Sequence, residues 1–423
     1  MQRALVLDAE RKSLMPCHPA RAKELLKKGK AAVFRRYPFT IILKERKGGD
    51  VQPVALKVDP GSKTTGIALV AEFKRGKEVI WAAEIEHRGQ FIRDALLSRR
   101  LLRRNRRNRK CRYRANRFLN RTKKPGWLPP SLESRISNIE TWQRRLGRLM
   151  PVSSISMELV KFDTQKMENP EIYGIEYQQG ELNGYEIRGY LLEKWGSSCV
   201  YCGDNDTHLE IEHIIPKSRG GSNRVSNLTL ACHKCNEKKG NKTASEFGYL
   251  EIQKKARQSL RDAAAVNSSR WALFERLKKA GFPIQCGVGG QTKFNRVRLR
   301  LPKAHWIDAA CVGTFCESVI VGNLMPYQIK AMGQGRRKRC FPDAFGFPKA
   351  YAKRSKTFKG WKTGDIARAT IPKGKYAGTF VGRVIIRHRL NFKFGEIYVH
   401  PKYLVRLHCA DGYEYGDVAS SVA

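Results

Sequence analysis

The sequence predicts an α/β multidomain protein. Three observations predict it. A three-strand meander near residue 54 is followed by helical stretches and further short strands. A compact cysteine-bearing cassette at 199–242 carries its own strand and helix signals in the middle of the chain. The last hundred residues alternate apolar and polar positions between glycine-rich turns, as a small SH3-like or OB-like β-barrel would. At 423 residues the chain can bury a sizeable core, and two or more domains are expected.

Composition bounds the function. There are 82 Lys and Arg against 38 Asp and Glu, a formal charge of +44. A body so charged repels itself unless a polyanion neutralises it, so DNA or RNA is the expected partner. No transmembrane-length apolar run and no signal peptide is visible, which disfavours a membrane partner and predicts a cytoplasmic protein. Eleven cysteines, four of them in metal spacing, point to a reducing compartment without a disulfide framework.

In order along the chain, residues 4–7 read as a strand, 13–16 as a turn and 20–28 as a short basic helix ended by Gly29. Strands are expected at 31–34 and 39–43, and 46–50 reads as a linker. The meander comprises 54–59, 65–70 and 79–84, with Asp59 at the tip of its first strand. Residues 88–124 then change character. Eleven bases stand in the nineteen positions 99–117 with no acid: Arg99, Arg100, Arg103, Arg104, Arg106, Arg107, Arg109, Lys110, Arg112, Arg114 and Arg117. Arg and Leu favour a helix, and the bases do not keep to one face, so a long helix surrounded by nucleic acid is predicted. Prolines at 125–130 end it, and Ser131 is expected to cap an amphipathic helix running to Leu149. A strand at 155–158 ends in Glu158. Beyond the cassette, 256–280 reads as helix, 292–301 as a basic strand, and His305 to Asp308 as part of another helix.

Three groups carry chemistry. Cys199, Cys202, Cys232 and Cys235 form two Cys-x-x-Cys pairs 29 residues apart, the spacing of a closed, structural Zn²⁺ site. Between and beside them stand Glu212-His213, a Ser-Arg-Gly-Gly turn, Asn227 and Asn236. The third group is Asp59, Glu158 and Asp308, with His305 one turn before Asp308. An acid at a strand end is more often a turn former than a ligand, so these weigh together rather than singly.

The cassette resembles the HNH nuclease motif, a ββα-metal fold. The resemblance implies His213 as general base, Glu212 and Asn236 as oxygen donors to one Mg²⁺, Asn227 tying the hairpin to His213, and Glu210 in support. The order Asp, Glu, Asp resembles the RNase H-like, RuvC-type pattern, whose carboxylates hold two Mg²⁺, with His305 as a fourth catalytic group. A RuvC-like domain split in three, an Arg-rich bridge helix and an inserted HNH domain look like the RNA-guided nucleases. Ser13-Leu14-Met15-Pro16 with Cys17-His18-Pro19-Ala20 resembles the PLMP domain of the IscB family, with Ser13 replacing Pro, and Phe345-Gly346-Phe347-Pro348 and Lys362-Thr363-Gly364-Asp365 also look like that family. The implied layout is PLMP-like 1–50, RuvC-I 51–86, bridge helix 87–124, RuvC-II 125–175, HNH with zinc 176–250, RuvC-III 251–325, and 326–423 for guide RNA and a target-adjacent motif. The implied function is an RNA-guided DNA endonuclease, a monomeric ribonucleoprotein with a structured guide RNA (ωRNA). HNH would cut the paired strand of double-stranded DNA and RuvC the displaced strand. Two other readings remain beside it: a non-cleaving RNA-binding transposon regulator, and a protein-guided HNH nuclease.

Overall fold

The computed structural model describes the chain except residues 1, 109–126, 160–190, 193, 197, 206, 258–262, 314–317, 334–339, 346, 352–356, 387–390 and 417–423. The N-terminal unit holds β1 (Ala4–Leu7), β2 (Ser13–Cys17), α1 (Pro19–Lys27), β3 (Ala31–Arg35) and β4 (Thr40–Leu43). Its sheet runs β2-β1-β4-β3, with β1 and β4 parallel. Residues 13–16, expected as a turn, form part of β2. Pro16 cannot donate to a ladder, but β2 lies at the sheet edge and its pairing shifts register opposite Pro16, where a proline is tolerated. Pro19 opens α1 as expected, and His18 Nδ1 accepts from Ala20 N at 3.2 Å.

The central body is a mixed sheet. Strands β5 (Val54–Asp59), β6 (Thr64–Phe73) and β7 (Gly76–Glu86) form the antiparallel meander. Helix α2 (Gly89–Asn108) follows, then α3 (Pro130–Leu149) and β8 (Val152–Glu158). α3 begins at Pro130 with no side-chain cap, so Ser131 lies inside the first turn. A proline already fixed at helical φ starts the helix instead. β8 pairs parallel with β5.

The cassette contributes β9 (Leu209–His213), β10 (Leu228–Cys232) and α4 (His233–Lys239) around its own core of Leu209, Ile214, Val225, Leu228 and Leu230. The helix expected at 256–280 is described as two pieces, α5 (Leu250–Arg257) and α6 (Ala263–Lys278). Ile252 and Ala256 of α5 belong to the cassette core, whereas Leu273 and Leu277 of α6 belong to the central one.

After β11 (Ile284–Gly287) comes α7 (Gly289–Arg298), where a strand was expected. The helical period is real but is written in polar residues: Thr292, Asn295 and Arg296 are the buried positions. Helix α8 (His305–Cys311), β12 (Val319–Ile320) and β13 (Tyr327–Ala331) complete the body. The sheet order is β11-β8-β5-β6-β7-β13, then strand Tyr413–Tyr415, with β12 beside β7. One face packs on α3 and α6, where Trp81 and Trp142 stack at 6.0 Å. The other packs on α8 through Ala68, Val70, Trp306 and Ile307.

The C-terminal region forms a five-stranded antiparallel sheet in the order Ile397–Val399, Phe392–Phe394, Gly378–Ile386, Ile366–Ile371, Leu404–His408, around Ala369, Val384, Phe392 and Phe394. Its pairings trace an open sheet among the described residues, not a closed barrel. No helix of the described residues is long and apolar enough to cross a membrane.

Candidate active sites

The first site lies at the carboxyl edge of the central sheet. β5 and β8 run parallel with Val58 opposite Met157, so Asp59 and Glu158, the next and last residues of the two strands, stand side by side at one edge. Asp59 pairs across with Gly66 of β6. A Cβ at Gly66 would stand 1.9 Å from the His305 carbonyl oxygen, so only glycine lets α8 lie this close on the sheet. That approach brings His305 Nδ1 to 3.5 Å from Asp59 Oδ2. The carboxylate partner holds the His305 pKa above its ordinary value, against the effect of burial. Burial, then the Asp59 charge, push Asp308 up to about 6, with Arg296 opposing.

Two buried arginines answer this negative charge. Arg296 Nε lies 2.9 Å from Asp308 Oδ1. Arg270 Nη2 lies 3.3 Å from Glu158 Oε1 and also reaches the Pro60 carbonyl at 3.2 Å. The C-terminal end of α8 is held by Lys57 Nζ, which donates to Val312 O at 2.8 Å, and by Asn295 Nδ2, which donates to Cys311 O at 3.0 Å. The structure thus brings the three distant acids and His305 to one edge, with Asp308 and Glu158 each facing an arginine and Asp59 facing the His305 ring. Hard carboxylate oxygens under mutual repulsion suit a divalent cation. None of the arginines was signalled by periodicity, because buried polar residues leave no apolar pattern.

The second site is the cassette. The four cysteine sulfurs lie within 4.8 Å of one another, and Cys202 Sγ stands 3.7 Å from Cys232 Sγ. Four Zn–S bonds of about 2.3 Å in a tetrahedron separate sulfurs by about 3.8 Å, so the set fits zinc. Burial opposes ionisation of Cys199, but backbone N–H groups of Cys202 and Cys232 draw it down to about 7. Burial and the neighbouring sulfurs push Cys235 up. Such a cluster ionises fully only around a cation.

Beside it, β9 and β10 pair with His213 opposite Leu228, and α4 follows directly. His213 Nε2 lies 3.0 Å from Asn223 Oδ1. An amide oxygen only accepts, so the tautomer with the proton on Nε2 would donate to it and leave the Nδ1 lone pair free as an acceptor. Asn227 ties the hairpin, though through the residues after His213: its Oδ1 accepts from Ile215 N at 2.9 Å, its Nδ2 donates to Ile215 O at 3.0 Å, and its carbonyl accepts from Ile214 N. Gly221 permits this loop, since a Cβ there would meet Ile215 O at 1.8 Å.

Of the two glutamates, it is Glu210 that meets Asn236. Glu210 Oε2 accepts from Asn236 Nδ2 at 2.7 Å, and its Oε1 meets His233 Nδ1 at 3.0 Å. Glu212, expected beside Asn236, is buried. It accepts from Tyr201 Oη at 2.8 Å and pairs with Lys239 Nζ at 2.5 Å. Lys239, 1 % exposed, also donates to the His213 carbonyl at 3.0 Å. A buried lysine requires such a counter-charge. Tyr201, between the zinc-spaced Cys199 and Cys202, and Lys239 were missed because neither type is a usual catalytic signal.

The basic helix is α2 as far as Asn108. It includes Arg99, Arg100, Arg103 and Arg104, all exposed, and Arg106 and Arg107 on its backbone. Arg109, Lys110, Arg112, Arg114 and Arg117 lie outside the described residues. Phe91, Leu97, Leu101 and Leu102 are each more than half exposed on this helix.

Residues 199–249 match the HNH endonuclease family model, and residues 4–180 match the model described as RRXRR protein. The cassette is therefore an HNH endonuclease domain. The CRISPR-associated endonuclease Cas9 of Corynebacterium diphtheriae is 38% identical over 67 residues, 15% of this chain and 6% of that protein. The one from Actinomyces naeslundii is 38% identical over 66 residues, 14% of this chain and 6% of its own length. The match thus spans about a sixteenth of those relatives. Among solved structures, Streptococcus thermophilus Cas9 in complex with the AGAA PAM is similar over 60% of this chain and 32% of its own, at 11% identity and a TM-score of 0.22. The type II-C Cas9 of Actinomyces naeslundii covers 62% and 59%, at 13% identity and a TM-score of 0.23. Likeness at those scores does not assign the fold.

Proposed function

We propose that this chain is an RNA-guided DNA endonuclease with two nuclease centres. The observation that carries the proposal is the placement of the HNH domain. It is inserted in sequence between Glu158 and Asp308, two acids that nevertheless share one sheet edge with Asp59. A chain that interrupts one hydrolytic site to add another is built to cut two strands. The strand order β7-β6-β5-β8-β11 supports an RNase H-like, RuvC-type reading of the central sheet.

In the HNH centre, His213 takes a proton from water through Nδ1, while Asn223 holds its other nitrogen. Glu210 and Asn236 are the residues that would hold Mg²⁺, and Glu212 anchors the hairpin through Lys239 and Tyr201. At the sheet edge Asp59, Glu158 and Asp308 would hold two Mg²⁺, and His305 moves a proton at Nδ1 beside Asp59. Bound Mg²⁺ would supply charge stabilisation for the scissile phosphate and its leaving oxygen. The four cysteines would hold a structural zinc.

The charge of +44 and the exposed leucines among the arginines of α2 support a helix enclosed by nucleic acid. So small a body leaves sequence recognition to base pairing with a guide RNA. On this reading HNH cuts the guide-paired strand and the sheet-edge site the displaced one, and one chain binds one RNA. Sequencing RNA copurified with the protein tests the guided reading: a discrete structured species supports it, and its absence overturns it. On guided duplex DNA, His213→Ala should nick only the displaced strand and Asp59→Ala only the paired strand. Either variant cutting both strands at the normal rate would refute the roles assigned.

A further inference from the structure

A basic cleft of about 640 Å³ opens where the N-terminal unit meets α3. Arg11, Lys12, Phe34, Arg35, Arg145 and Arg148 line it. Its floor is preorganised. Arg35 Nη2 and Arg145 Nη1 each lie 2.9 Å from Asp411 Oδ2, and Arg145 Nη2 also donates to the Asp411 carbonyl at 3.1 Å. The rim is held as firmly. Asp8 Oδ1 accepts from Glu10 N at 2.9 Å and Lys12 N at 2.8 Å, closing the turn that presents Arg11 and Lys12.

Arg11 sits in that turn at φ 66°, the left-handed region where a non-glycine residue is uncommon. Glycine would relax the turn, so the arginine side chain is kept there against a conformational penalty. Five cations share the cleft with two acids, Asp411 beneath Arg35 and Arg145, and Glu10 at 3.1 Å from Lys12. The surplus favours an anion. Phe34, 42 % exposed, adds a large apolar ring among these charges. Cations beside an exposed aromatic ring are the chemistry that holds a nucleotide, phosphate on the one and base stacked on the other.

Size narrows the choice. The cleft is in the range that encloses a ligand the size of one or two nucleotides. A base-paired duplex is too wide to enter. Unpaired bases splayed from loops are a regular feature of folded RNA. We infer that this cleft binds an unpaired nucleotide of the guide RNA, its base on Phe34 and its flanking phosphates on Arg11 and Arg148. The inference rests on the RNA-guided reading and adds a protein site outside both nuclease centres and the basic helix.

The test uses the full chain with the RNA it copurifies, measured by filter binding across a salt series. Replacing Arg11 and Arg148 together by Ala should lower the slope of log affinity against log salt by about 1.4, near 0.7 for each single-strand phosphate. Phe34→Ala should weaken binding on the order of tenfold, and Phe34→Tyr should restore it. Both arginines and Phe34 are exposed, so circular dichroism should match wild type. Independently of any variant, 4-thiouridine placed in the RNA should crosslink to the peptide carrying Phe34. Unchanged affinity and slope, or a crosslink to that peptide from thiolated DNA instead of RNA, would overturn the site. Wild-type protein without discrete RNA would overturn the guided reading itself, whereas RNA-bearing wild type with unaffected variants overturns the cleft alone.

Discussion

Lys239→Met is the sharpest probe of how the HNH centre is built. Lys239 is 1 % and Glu212 5 % exposed, and they meet at 2.5 Å. Removing the ammonium leaves Glu212 buried with the Tyr201 hydroxyl as its one side-chain partner among the described residues. Breaking a buried pair in this way costs about 3–5 kcal/mol. Loss of the bond to the His213 carbonyl adds about 1 kcal/mol. Hydrogen exchange on peptides covering β9 and β10 reads this as local opening, and 3–5 kcal/mol corresponds to protection lower by roughly two to three and a half orders of magnitude. Glu212→Gln combined with Lys239→Met removes both charges and should recover most of that protection, because a neutral buried pair carries no unpaired ion. If Lys239→Met changes exchange by less than tenfold, or the double variant is as open as the single one, Glu212 is not the anchor. A Glu212→Gln protein with an intact hairpin and weakened Mg²⁺ binding would return Glu212 to the metal.

Gly66→Ala should push α8 off the sheet, since the new Cβ meets the His305 backbone, and a backbone clash of this kind costs about 1–3 kcal/mol. Displaced-strand cleavage should fall while paired-strand cleavage persists; an unchanged strand ratio counts against the sheet-edge site. Asp411 is held down to about 2, despite burial, by His408, Tyr415 and Arg145. Because its folded pKa lies below the ordinary 3.8, its contribution of about 2 kcal/mol is present above pH 4 and lost as pH falls through about 2. The melting-temperature gap between wild type and Asp411→Asn should therefore narrow from pH 7 to pH 3, and a constant gap would refute the assignment. Cys235→Ser should lower zinc content below one per chain and speed proteolysis within 199–249, and full zinc retention would remove the cysteine set from the metal.

Much of the candidate sites was legible in the chain because their residues lie close in sequence. Two Cys-x-x-Cys pairs and a Glu-His dipeptide carry their own ligand spacing, and the meander whose first strand ends at Asp59 shows itself as three short apolar runs between turns. The turn expected at 13–16 and the strand expected at 292–301 failed for physical reasons. A proline at an edge is compatible with a ladder, and a helix whose buried face is Thr292, Asn295 and Arg296 shows no apolar period. Such residues are buried only because partners from elsewhere satisfy them.

The sequence by itself determined which residue types stand at the candidate sites: four cysteine sulfurs, the His213 imidazole, a set of strand-end acids and a charge of +44. Only the tertiary structure decided their partners. Glu210 and Glu212 lie two residues apart on one strand and point to the same face, so periodicity cannot separate them. Tyr201 and Lys239, from the Cys199–Cys202 turn and from α4, draw Glu212 inward, while Asn236 meets Glu210. Likewise Asp308 reaches Asp59 only because Gly66 has no side chain to hold the two elements apart. Local spacing fixes donor chemistry, but the choice among equivalent donors depends on contacts between segments far apart in the chain.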